Sequence, residues 1–62
     1  MKYSEVERKL KSAGCYLYRS GGNHEIWYSP ITANRFLLSR HKSEEAKDGT
    51  LNQISKASGI KF

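Results

Sequence analysis

The stretch "SGGNHEIWY", residues 20–28, sets two glycines and an asparagine directly before a run rich in apolar and aromatic side chains. The segment ahead of it, "CYLYR" at residues 15–19, alternates with period two, placing Tyr16 and Tyr18 on one face and Cys15, Leu17 and Arg19 on the other. Two such runs around Ser20–Asn23 read as a β-hairpin whose turn uses residues tolerant of positive φ. With Gly21 and Gly22 at the turn centre, Arg19 is expected opposite His24, Leu17 opposite Ile26, and Tyr16 opposite Trp27. That register predicts Cys15, Leu17, Ile26 and Tyr28 on one side with Arg19 and His24 at its edge. Tyr16, Tyr18, Glu25 and Trp27 are then expected on the other.

Working outward, Pro30–Asn34 interrupts pairing, and "RFLLS" at 35–39 supplies a third strand. Toward the N-terminus, Ser4 followed by Glu7 reads as a capping box, and Val6, Leu10 and Ala13 form one helical face that ends at Gly14. Beyond a charged connection, Arg40–Asp48, a second helical face comprises Leu51, Ile54 and Ser58 with Ala57 beside it, closed by Gly59 and Ile60. The order predicts an α+β fold, α-β-β-β-α, with a three-stranded antiparallel sheet carrying both helices on one face. A single domain over residues 1–62 is expected, its other sheet face open.

A chain of 62 residues with 37% hydrophobic content supports a thin core and no large ligand cavity. Eleven Lys and Arg against six Asp and Glu give a net charge of +5, which suits a polyanionic partner. The lone Cys15 cannot form an internal disulfide, and no apolar run approaches the ~20 residues of a membrane span, so a cytoplasmic, soluble chain is expected. No cofactor is implied. One cysteine and two well-separated histidines show no metal-ligand spacing, Cys15 lacks an activating base, and Gly21-Gly22 is no phosphate loop.

His24 is the residue most suited to chemistry, because imidazole exchanges protons near neutral pH. RNA offers a proton to move on its 2′-hydroxyl, and nearby cations could stabilise charge gathering on phosphorus. An ordinary strand-edge role competes with that reading. His41 is a second candidate as proton donor, and Arg19 is expected to hold the phosphate across from His24. The group Tyr16, Tyr18 and Trp27 could stack on unpaired bases or bury against a partner protein. Lys2, Arg8, Lys9, Lys11, Lys42 and Lys47 could track a phosphate backbone.

The segment "GGNHEIW" resembles the Gly-Ser-His, any residue, aliphatic, aromatic signature of the HicA family of toxins, and "RHKSEEAKDGTLNQISKASGI" is similar to the rest of that family's pattern. Arg40-His41 matches the basic-His pair ending the third strand, and Gly49-Thr50-Leu51 the start of the second helix. The resemblance implies a fold of the double-stranded-RNA-binding type, metal-independent cleavage of messenger RNA with His24 catalytic, and a HicB-like antitoxin partner. RNA-binding roles are expected for Gly22, Asn23, Arg40 and His41 within the matched segments, and for Arg19 from the hairpin register, Trp27 from the aromatic group and Lys42 from its charge. Asn23 stands where serine is usual, yet can still donate a hydrogen bond to phosphate. Asp48 replaces a frequent proline and is expected to cap the second helix. A non-catalytic RNA-binding module of the same fold is the alternative, and a protein adaptor using the open aromatic face a third reading.

Overall fold

The computed structural model describes all 62 residues and contains helix α1 (Tyr3–Ser12), strands β1 (Tyr16–Ser20), β2 (His24–Ser29) and β3 (Asn34–Ser39), and helix α2 (Asp48–Ser58). The strands form one antiparallel sheet in the order β1-β2-β3. This is the expected α-β-β-β-α arrangement. Val6 and Leu10 of α1 and Ile54 of α2 bury against Trp27, Phe36 and Leu38 of the sheet, with Cys15 and Ala46 completing the core. Both helices therefore cover the same face.

Trp27 fixes which face that is. Its side chain is only 1% exposed, and the pleat then directs Glu25, Trp27 and Ser29 toward the helices and His24, Ile26 and Tyr28 away from them. The expectation that Trp27 lies on the open face and that Ile26 and Tyr28 lie in the core is thus reversed. An indole is the largest apolar surface this small chain can hide, and the core takes it. The pairing explains the change: Gly21 N–H donates to the His24 carbonyl at 3.0 Å, so the turn centres on Gly22-Asn23, one residue later than expected. Ser20 and Arg19 then face Glu25 and Ile26, and a bulge at Tyr18 resets the ladder to Leu17 opposite Trp27 and Tyr16 opposite Tyr28. No residue of Ser20–Asn23 has positive φ; among non-glycine residues only Ala33, in the β2–β3 turn, does, with φ 58°.

The helix ends differ from expectation in detail. Lys2, not Ser4, precedes α1, and its backbone N–H donates to the Glu5 carboxylate at 3.2 Å. The first free N–H groups of α1 are taken by the β3–α2 connection: Tyr3 donates to the Glu44 carbonyl at 3.0 Å and Ser4 to that of Lys42 at 2.9 Å. Asp48 does not cap α2 with its side chain. Lys47 precedes the helix, and Asp48 lies in its first turn, where a negative charge complements the helix dipole. At the far end Gly59 closes α2 in the left-handed conformation, φ 79°, and a Cβ there would also approach Ile31 Cγ2 to 2.9 Å. Buried Ser29 ties this end to the sheet, its Oγ donating to the Ser58 carbonyl at 2.6 Å, while buried Ser58 Oγ donates within α2 to the Ile54 carbonyl at 2.6 Å.

Trp27→Ala is expected to destabilise the fold by about 3–5 kcal/mol, enough to unfold a domain of this size, whereas Tyr16→Ala costs at most about 1 kcal/mol. Urea denaturation followed by circular dichroism checks both. Equal sensitivity at the two positions would contradict the burial assigned to Trp27.

Candidate functional site

β2 begins at His24, directly after the turn, and the regular ladder pairs His24 with Ser39 at the end of β3. This brings the hairpin turn and the exit from β3 side by side. Arg40 uses the proximity: its Nη1 donates to the Gly21 carbonyl at 3.2 Å and also to that of Gly22. The guanidinium staples the turn while Nε and Nη2 make no hydrogen bond within the protein. His41 follows, its backbone N–H held by Ser39 Oγ at 3.1 Å. Gly22, Asn23, Arg40 and His41 line an open groove of about 310 Å³. Four of the eight expected site residues are thereby gathered in one place, with His24 adjoining them through Asn23 and Ser39.

The His24 imidazole is exposed and makes no hydrogen bond or ion pair within the protein. At the same end of the sheet His24 also lines an open cleft of about 500 Å³ with Tyr3, Ser39, Glu44, Glu45, Lys47 and Thr50. The sequence marks Lys47 for its charge and Thr50 for its place at the start of the second helix, but does not join these neighbours into a site, since they come from three separate segments and share no local spacing.

The remaining expected site residues are placed otherwise. Arg19 is exposed and pairs with Ile26, so it shares a face with His24 but stands diagonal to it, not opposite. Trp27 is buried and presents no ring face to a base. Its indole N–H donates to Glu25 Oε1 at 3.1 Å. Lys42 is committed to the protein: its ammonium donates to Glu25 Oε1 at 2.6 Å and to the Ser39 carbonyl at 2.9 Å, lies 3.5 Å from Glu7 Oε1, and stands 5.8 Å from the Trp27 ring centroid. Burial pushes the Glu25 carboxyl up, but the hydrogen bonds from Lys42 and Trp27, aided by the charges of Lys42 and Arg40, outweigh it and hold the group below its ordinary value. This cluster welds β2, α1 and the β3–α2 connection together behind the groove.

A family model described as the HicA toxin of bacterial toxin-antitoxin matches residues 3–60 of the chain. No curated protein and no solved structure matches it. No helix is long and apolar enough to cross a membrane.

Because the Glu25 carboxyl is depressed in the folded state, its stabilising contribution is fully present above the ordinary value of 4.5 and is lost as pH falls from there through the depressed value. Stability measured by urea unfolding between pH 7 and pH 3 is expected to fall in that window, and Glu25→Gln to flatten the fall. Lys42→Ala, which strips the largely buried carboxylate of its main partner, is expected to cost about 1–3 kcal/mol at neutral pH. An unchanged pH profile in Glu25→Gln would remove Glu25 from this role.

Proposed function

The chain belongs to the HicA toxin family of bacterial toxin-antitoxin systems, and on that basis we propose that it is a metal-independent endoribonuclease that cleaves messenger RNA in the cytoplasm with His24 as its proton-transfer group. The observation that carries this reading is the exposed, unpaired imidazole of His24 beside a groove lined by Arg40 and His41. A histidine that served only to stabilise the fold would be expected to find a partner; this one keeps both ring nitrogens available for substrate.

In the proposed reaction, neutral His24 takes the proton from a 2′-hydroxyl as the 2′-oxygen forms a bond to the adjacent phosphorus. In this reading the guanidinium nitrogens of Arg40 that are free of the turn, with Asn23 and the turn backbone of the same groove, stabilise the charge on the phosphoryl oxygens. The bond from phosphorus to the 5′-oxygen breaks, and that oxygen takes a proton from the now protonated His24 or from His41. The products are a 2′,3′-cyclic phosphate and a 5′-hydroxyl. No three His, Cys, Asp or Glu side chains converge to hold a metal ion, and no step is routed through one.

A HicB-like antitoxin is the proposed partner. A domain of charge +5 favours an acidic protein electrostatically, and covering the approach to His24 would suffice for neutralisation.

His24→Ala is expected to lower RNA cleavage by roughly 100-fold or more and to abolish growth arrest, while changing stability by no more than about 0.5 kcal/mol because the residue is exposed. Cleavage should persist in excess chelator and leave 2′,3′-cyclic phosphate ends, and a 2′-methoxy group at the cut site should block it. Full toxicity of His24→Ala, or cleavage of the 2′-methoxy substrate at the normal rate, would defeat the proposal.

A further inference from the structure

The face of the sheet turned away from the helices is organised in cross-strand rows. Tyr16, Tyr28 and Arg35 form one, since Tyr16 pairs with Tyr28 and Tyr28 with Arg35. Arg19, Ile26 and Leu37 form the next, and His24 with Ser39 the last. The Tyr16 and Tyr28 rings are 5.4 Å apart and tilted by 44°, and the Arg35 guanidinium lies 5.3 Å from the centroid of the Tyr18 ring, which the bulge swings over the same face. Tyr16 and Tyr18 remain 50% and 54% exposed.

The charge on this face is one-sided. Glu25 points to the helices, Glu5 and Glu7 belong to α1, Glu44 and Glu45 to the β3–α2 connection, and Asp48 to α2. No acidic residue stands in the Tyr16–Tyr28–Arg35 and Arg19–Ile26–Leu37 rows, which carry Arg19 and Arg35; carboxylates approach only at the end of the sheet, where His24 shares a cleft with Glu44 and Glu45. A surface that combines exposed aromatic rings with cations and no anions suits a polyanion with unpaired, planar bases. A duplex would offer phosphates but hide the base faces from the rings.

Resting on the proposed nuclease reading, we propose that the substrate is single-stranded RNA laid across this open face. Bases stack on Tyr16, Tyr18 and Tyr28, Arg19 and Arg35 take the intervening phosphates, and the strand reaches His24 at the end of β2. Four residues of extended chain, about 13 Å, separate the Tyr28 row from His24, so the stacked bases lie a few nucleotides from the cut. Base stacking then sets where along a strand the enzyme can act.

The test measures binding, not cleavage, so that it holds whatever His24 does. A fluorescent 2′-methoxy oligoribonucleotide is titrated as a single strand and as a duplex into the wild-type chain and into Tyr16→Ser, Tyr18→Ser, Tyr16→Phe and Tyr18→Phe variants, each verified as folded by circular dichroism. Single strands are expected to bind more tightly than duplexes. Each serine variant is expected to weaken single-strand binding by about 5- to 100-fold, with phenylalanine retaining it. Tighter binding of the duplex, unmoved by the tyrosine substitutions, would overturn the proposal by placing RNA on another surface. Undiminished single-strand affinity in the serine variants would overturn it too, and would leave the aromatic face to a protein partner.

Discussion

Burial of Trp27 is the constraint from which the rest of this small structure follows. β-strands alternate, so committing one side chain of β2 to the core commits every other: Glu25 and Ser29 go inward with Trp27, while His24, Ile26 and Tyr28 go outward. A slip of one residue would bury the imidazole and expose the indole, losing the largest apolar side chain of the core and hiding the candidate catalytic group at the same time. Fold stability and the presentation of His24 thus depend on the same phase.

At the His24–Ser39 end of the sheet, charge is used structurally behind the groove and left open within it. Lys42 is enclosed by Glu25, Glu7 and the Ser39 carbonyl, and the β3–α2 connection also supplies carbonyls to the start of α1. A connection that would otherwise be mobile is therefore tied down, and Arg40 and His41 emerge from it at a fixed place. Arg40 in turn fastens the hairpin turn through two carbonyls. The groove beside His24 is assembled from loops, but loops anchored to a rigid scaffold, as binding sites commonly are.

The order of elements was legible because each boundary carries a local signal: Gly14 and Gly59 adopt the left-handed conformations that end or follow helices, and the strands alternate. The strand register was not. Whether the turn centres on Gly21-Gly22 or Gly22-Asn23 is decided by one backbone hydrogen bond, and the bulge at Tyr18 has no composition cue. Trp27 was misplaced for the same reason, since an alternating strand of mixed character reads equally well in either phase. Lys42 looked like a free cation because its main partner, Glu25, is seventeen positions away. Among the site residues, His24, Gly22, Asn23, Arg40 and His41 were identifiable through the family resemblance and do converge in space; their chemistry alone, in a chain this basic, would not have separated them from solvated surface.

The measurement that bears most directly on this picture is an NMR titration of the isotopically labelled protein with single-stranded 2′-methoxy RNA, following backbone amides and the imidazole and indole ring signals together. The expected result is perturbation of Asn23, His24, Arg40, His41 and the Tyr16–Tyr28 row, with the Trp27 indole signal nearly unmoved because its ring lies behind the sheet. Perturbations confined to the exposed basic residues of α1, Arg8, Lys9 and Lys11, with the His24 ring unaffected, would contradict it.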